Sequence, residues 1–147
     1  MIIVANSQNL QKWSEAIFLN QAKIGEVMAK LEDEREFSLK ECLKNGIKIH
    51  KRHRELLQEV SLANDWASID DVVNVNKRIW EKFQAKKLKT KEAKIKTVID
   101  ATYDSMKTIE HFLLMFKQAS PKVKEEVHHL RQGYLAFIDD LHSFSGE

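Results

Sequence analysis

The chain has 147 residues, a length that fits a single domain with its own hydrophobic core. With 43% apolar and 31% charged residues it is too apolar for a disordered protein, and its one proline and four glycines are too few for the turns of a β-sandwich. The net charge of +2 is unevenly distributed, because residues 44–96 carry fourteen basic and seven acidic groups while both flanks are mildly acidic.

Two apolar stripes predict the first two helices. The first follows Ser7 at helical spacing and consists of Leu10, Trp13, Ile17, Ile24, Val27, Met28 and Leu31. A charged stretch at residues 32–36 interrupts it. The second stripe occupies one helical face and consists of Leu39, Cys42, Leu43, Gly46, Ile49, His50, His53, Leu56, Leu57 and Val60. We expect the second helix to end near Ala63, before the turn-forming residues 64–67.

A third helix is predicted to begin at residues 68–71, where Ser-Ile-Asp-Asp resembles a capping box. Its buried face would carry Ile69, Val72, Val73, Ile79, Trp80 and Phe83. Residues 84–94 contain no helix breaker, but five lysines crowd there. Their mutual repulsion predicts a bend between Lys87 and Thr90.

The last two helices have the clearest signals. The fourth follows a seven-residue rhythm through Ile95, Ile99, Thr102, Met106, Ile109, Leu113 and Phe116. Ser120 and Pro121 predict the start of the fifth, since serine caps helices well and a proline in the first position loses no hydrogen bond. The fifth helix would run to about Phe144. The sequence thus predicts an all-α fold, a bundle of four to five long antiparallel amphipathic helices, in one domain covering residues 1–147.

Cysteine content and the amino terminus indicate the compartment. Cys42 is the only cysteine, so neither an intrachain disulfide nor a cysteine-based zinc site can form. Residues 1–5 lack the basic region of a secretory signal, and no apolar run, that of residues 112–116 included, is long enough to span a membrane. We therefore expect a cytoplasmic protein.

Six histidines raise the question of a metal site. His50 and His53 share the stripe of the second helix, and residues 125–129 contain two overlapping Glu-x-x-His pairs. A carboxylate-bridged di-metal bundle needs such pairs on two different helices and inward glutamates from the others, and the predicted stripes contain no glutamate. The sequence therefore favours His50 and His53 at the core boundary with hydrogen-bonded rings, and we predict no metal ligand and no cofactor.

Catalytic motifs are equally absent from the sequence. Cys42 lies within an apolar stripe, where cysteine usually behaves as a small buried hydrophobe. No serine stands in a Gly-x-Ser-x-Gly elbow, and no glycine-rich loop could hold a phosphate. We predict no catalytic residue and a protein that is not an enzyme.

The basic segment of residues 77–96 is the main polar feature. Its candidate patch for an anionic partner consists of Lys82, Lys86, Lys87, Lys89, Lys91 and Lys94. Lysine is a poor reader of base edges, so the patch would attract a nucleic-acid backbone without recognising sequence. The pattern favours a solvated helix end, with nucleic-acid binding as the alternative.

Two segments, residues 17–19 and 112–116, are apolar on every side of the helix. One helix-to-helix contact cannot cover a whole turn, and exposed apolar patches commonly mark partner surfaces. We expect Ile17 and Leu113 to be buried. The candidate apolar interface consists of Phe18, Phe112, Leu114 and Met115.

Residues 56–87, LLQEVSLANDWASIDDVVNVNKRIWEKFQAKK, show a long amphipathic helix, a short polar break and a second proline-free helix. This layout resembles that of phasins, and by helix arrangement the resemblance extends over residues 7–118. The resemblance implies a non-catalytic protein that coats polyhydroxyalkanoate granules with the apolar faces of its helices. The chain is more charged and less alanine-rich than the family.

Three functional hypotheses remain. The first is a non-enzymatic helical interaction protein that self-associates or coats a surface, with phasin-like granule binding as its sharpest form. The second is a helical regulator that binds nucleic acid or another polyanion through residues 77–96. The third is a metal-binding or small-ligand-binding bundle.

Overall fold

A computed structural model of the chain describes residues 7–29, 31, 37–63, 90–116 and 119–144. Within these ranges the backbone forms four helices and no strand. They are α1 (Ser7–Ala29), α2 (Phe37–Ala63), α3 (Lys91–Met115) and α4 (Pro121–Ser143). The all-α bundle is confirmed. The predicted helix with its buried face from Ile69 to Phe83 lies outside the described residues.

The helix ends agree with the local signals in the sequence. α2 ends at Ala63, as expected. α4 begins directly after Ser120, whose Oγ accepts a hydrogen bond from the backbone N–H of Val123 at 3.2 Å. Thr90 caps α3 in the same way, and its Oγ1 accepts from the backbone N–H of Ala93 at 3.0 Å. Both caps satisfy a backbone donor that the first turn of a helix leaves free.

The helices form a square in cross-section. α1 packs against α2 and α3, and α4 packs against the same two helices, so α2 and α3 face each other across one diagonal. α1 and α3 are antiparallel, because Asn9 contacts Met115 whereas Asn20 contacts Ser105.

The diagonal pair, α2 and α3, is parallel. His50 contacts Ser105 and His53 contacts Thr108, so both helices advance in the same direction. Gly46 of α2 lies at Phe137 of α4 and Arg52 pairs with Glu126, so α4 runs opposite to α2. Adjacent helices are therefore antiparallel, while α2 and α3 are parallel. As a result, the end of α2 and the start of α3 lie at opposite ends of the bundle.

The described helices share one hydrophobic core. Trp13 of α1 packs edge-on against Phe112 of α3, with ring centroids 6.1 Å apart. Gly46 of α2 is a packing requirement, because a Cβ at this position would lie 2.2 Å from Cζ of Phe137 in α4. No real side chain tolerates that distance without movement of its neighbour.

One position of the α3 stripe was predicted wrongly. Leu113, expected in the core, is 40% exposed, whereas Phe112 is 2% exposed. The prediction followed a strict seven-residue repeat. The buried face of α3 is wider than that stripe, because it also includes the small or polar residues Ala101, Ser105 and Thr108. Phe112 continues this row at helical spacing and packs against Trp13, whereas Leu113 lies beside it in the last turn of the helix. Ile17 is buried, as expected.

Candidate functional site

The centre of the bundle holds a group of buried polar side chains. His50 and His53 of α2 are 0% and 2% exposed, so both lie deeper than the predicted core boundary. Their spacing of three residues places both rings on one face of the helix. There they meet Ser105 and Thr108 of α3 and Tyr134 of α4. We call these five residues the histidine cluster.

His50 links three helices. Its Nδ1 lies 2.7 Å from the carbonyl oxygen of Gly46, which can only accept, so Nδ1 carries the proton in the neutral ring. Its Nε2 then accepts a hydrogen bond from Ser105 Oγ at 2.8 Å. Asn20 of α1 completes this side of the cluster, because its Nδ2 donates to Ser105 Oγ at 2.9 Å and to the carbonyl of Ala101 at 2.8 Å.

His53 has the opposite tautomer. Thr108 Oγ1 donates its only proton to the carbonyl of Ser105 at 2.7 Å. It must therefore accept from Nε2 of His53, 3.4 Å away. The Nδ1 atom is left to accept from the hydroxyl of Tyr134 at 2.8 Å. All four ring nitrogens of the two histidines are thus satisfied within the protein.

Burial keeps the cluster uncharged. It lowers the pKa of His50 from 6.5 to about 4, against a smaller opposing effect of the hydrogen bond to Gly46. It lowers the pKa of His53 to about 3, and the neighbouring His50 adds to this effect. Burial also raises the pKa of Tyr134 well above 10. At neutral pH the cluster is a network of neutral hydrogen bonds that joins α1, α2, α3 and α4.

This geometry suits a structural network better than a ligand site. Both nitrogens of each buried histidine are already bonded, which leaves none to coordinate a metal ion. Across the described ranges, no group of three or more histidine, cysteine or acidic side chains could hold one. The Glu-x-x-His pairs of residues 125–129 lie on one helix, with His128 and His129 exposed.

Cys42 is buried in the core, as expected from its place in the α2 stripe. Burial, with a contribution from the carboxylate of Asp140, raises the pKa of its thiol from 9.0 to about 11. The thiolate is the nucleophilic form of cysteine, so this thiol is unreactive at neutral pH.

The four residues of the candidate apolar interface lie in different environments. Leu114 is 66% exposed. Phe112 is in the core, so its assignment to the surface was wrong. Phe18 is half-buried, and the guanidinium of Arg54 lies 5.0 Å from its ring centroid. Met115 is half-buried and packs against the core. Only Leu114 is thus broadly available to a partner.

Among the described residues, three exposed leucines were missed by the sequence analysis. Leu62 is 56%, Leu135 is 43% and Leu113 is 40% exposed. Leu62 lies in the last turn of α2, and Leu113 and Leu114 lie in the last turn of α3. These two turns are at the same end of the bundle, since Ala63 and Phe116 line one groove of about 380 Å3. We call Leu62, Leu113 and Leu114 the apolar end. The sequence did contain a signal for Leu62, because this apolar residue lies two positions after Val60, outside the predicted buried stripe of α2.

A second groove, of about 420 Å3, lies between α2 and α4. Ile49, Leu130 and Gly133 contribute apolar atoms to it. Arg52 at its rim is paired with Glu59 at 2.9 Å and with Glu126. The charge of Arg52 is therefore paired within the protein.

The candidate anionic-partner patch lies mostly outside the described residues, which include Lys91 and Lys94 but not Lys82, Lys86, Lys87 or Lys89. Lys91 is exposed and Lys94 is half-buried, both in the first turn of α3.

Comparison of the chain with protein-family models, with curated proteins and with solved structures gave no match. Among the helices that the structure describes, none is long and apolar enough to cross a membrane.

Proposed function

We propose that the protein is a non-enzymatic helical interaction protein that self-associates through its apolar end. The observation that carries this proposal is the exposure of three leucines at one end of the bundle: 66% for Leu114, 56% for Leu62 and 40% for Leu113. The neutral, internally bonded histidine cluster and the protonated thiol of Cys42 support a role without catalysis.

The strength of the association follows from the area available. Full burial of a leucine side chain contributes about 2 kcal/mol, so six half-exposed leucines in a symmetric pair contribute roughly 6 kcal/mol. Loss of translational and rotational freedom costs about 4–15 kcal/mol. We therefore expect weak self-association that depends on protein concentration.

A cytoplasmic location is part of the proposal, because a single cysteine suits a reducing compartment. The resemblance of residues 56–87 to phasins supports another occupant of the apolar end, the surface of a polyhydroxyalkanoate granule. The test must separate this occupant from a second copy of the chain.

Sedimentation velocity over a range of concentrations tests the proposal with the double variant Leu113→Glu/Leu114→Glu. Both leucines are exposed, so the variant should remain helical by circular dichroism while placing charge at the interface. Leu135→Glu is the matched control, because Leu135 is 43% exposed on α4, away from the apolar end. The average mass of the parent and of the control should rise with concentration, and the double variant should stay monomeric.

A parent that stays monomeric throughout would contradict the proposal, as would a double variant that associates like the parent. Incubation with polyhydroxybutyrate particles distinguishes the granule surface. Particle binding by a monomeric parent, lost in the double variant but kept in the Leu135 control, would replace self-association with surface coating.

A further inference from the structure

The histidine cluster holds two groups that take up protons in mild acid when they are in water. Both rings are neutral in the closed bundle, and their hydrogen bonds reach α3 and α4 directly. Any charge on them would therefore appear at the point where the helices are joined.

Among the described residues, the groups that face the two rings from the other helices are all neutral: Asn20 of α1, Ser105 and Thr108 of α3, and Tyr134 of α4. Tyr134 could titrate, but burial raises its pKa and keeps it neutral. On α2 itself, Arg52 is paired with Glu59 and Glu126, and Arg54 covers the ring of Phe18. Within the part of the chain that the structure describes, none of the facing groups is a carboxylate that could pair with an imidazolium.

Protonation would also oppose the present hydrogen bonds. A proton on Nε2 of His50 would point at Ser105, whose hydroxyl would have to turn to the carbonyl of Ala101, 3.1 Å away. A proton on Nδ1 of His53 would point at the hydroxyl of Tyr134, which now donates to that atom. The bonds can reorient, but two like charges one helical turn apart would remain buried, and the described residues offer them no counter-ion.

We propose that the histidine cluster makes the bundle an acid-sensitive switch, in which α2 separates from α3 and α4 when both histidines take up protons, and returns when they release them. The proposal is independent of self-association, since the cluster lies in the core.

The direction follows from linkage. In the closed bundle the pKa values of His50 and His53 are below the ordinary 6.5, so protons bind the open form more tightly. The stabilising effect of the neutral pair is complete above pH 6.5 and is lost as the pH falls from 6.5 toward 4. Between pH 7 and pH 5, the equilibrium constant for opening should rise about twenty-fold for each histidine.

Urea unfolding at pH 7 and pH 5 measures this effect in the parent and in His53→Gln. Glutamine does not titrate and can still bond to the hydroxyl of Tyr134. The parent should show a several-hundred-fold rise in the unfolding constant, and His53→Gln a rise about twenty-fold smaller. His129→Gln, a change of an exposed histidine, should behave as the parent. Equal pH dependence in the parent and in His53→Gln would overturn the proposal.

The parent alone gives a second test should His53→Gln fail to fold. Imidazole proton resonances followed by NMR should include two that do not shift between pH 7 and pH 5 in the folded protein. Far-UV and near-UV circular dichroism should recover fully when the sample returns from pH 4 to pH 7. Titration of all six imidazoles in the folded state, or an unchanged unfolding constant at pH 5, would refute the switch.

Discussion

At the scale of single residues, two glycines in helices have opposite roles. Gly46 faces the ring of Phe137, which is 2% exposed and cannot move aside freely. Gly25 of α1 has no atom within 4 Å of where a Cβ would lie. The same substitution should therefore change stability in opposite directions.

Gly46→Ala should lower the free energy of unfolding by about 2–3 kcal/mol, the usual cost of overpacking a core. Gly25→Ala should raise it by about 0.5–1 kcal/mol, because alanine restricts the unfolded chain and favours the helix. Urea unfolding measures both. Addition of Phe137→Leu to Gly46→Ala should recover part of the loss, which separates steric overlap from a change in helix propensity. Equal effects of the two glycine substitutions would contradict the assigned contact.

Two buried hydroxyls on α3 provide another residue-level prediction. The Ser105 hydroxyl bonds across the bundle to His50, whereas that of Thr102 donates only to the carbonyl of Val98 in its own helix. Ser105→Ala should lower the unfolding free energy by about 1–3 kcal/mol, because it leaves a buried ring nitrogen unsatisfied. Thr102→Val keeps the shape and should cost less than about 1 kcal/mol. Thermal or urea unfolding that ranks the two the other way would argue against the cluster as described.

The sequence could identify the face of the cluster but not its bonds. His50 and His53 were recognisable as members of the α2 stripe because that pattern depends on neighbours a few residues away. Their hydrogen-bond partners on α3 and α4 are 55 and 81 residues distant in the chain, so no local pattern could indicate them. For the same reason, the sequence analysis placed the two histidines at the core boundary and not deep in the core, where they lie.

At the scale of whole elements, helix starts depend on single polar side chains. Ser120 and Thr90 each bond to a backbone N–H three residues later. Ser120→Ala should lower the unfolding free energy by about 1 kcal/mol, and Ser120→Asp should keep it, because aspartate caps as well as serine. Urea unfolding of the pair gives the comparison. A loss of the same size in both variants would show that the loss does not come from the missing hydrogen-bond acceptor, and would contradict the assigned cap.

Helix starts and ends were predictable because capping is local chemistry, which residues 120–121 show clearly. The arrangement of the helices was not. The parallel diagonal of α2 and α3 depends on contacts such as that between His53 and Thr108, which the stripes do not encode. Phe112 was not placed in the core because the buried row that leads to it, Ala101, Ser105 and Thr108, consists of small or polar residues that an apolar pattern does not include.

At the scale of the whole molecule, the parallel diagonal brings three of the six exposed large apolar side chains of the described residues to one end of the bundle. The last turns of α2 and α3 lie at the same end, which brings Leu62 to the end that carries Leu113 and Leu114. Had the two helices been antiparallel, Leu62 would lie at the opposite end. The fold therefore creates the apolar end on which the proposed self-association rests.

Spin-label distances between copies test this central claim most directly. A label at Glu110→Cys lies one turn before the apolar end. A label at Lys96→Cys lies near the start of α3, about 20 Å farther from that end. Both positions are exposed, whereas the native Cys42 is buried and should not take up label. At concentrations where the protein is associated, Glu110→Cys should give a clearly shorter distance between copies than Lys96→Cys. A shorter distance for Lys96→Cys, or no distance between copies for either label, would contradict association through the apolar end.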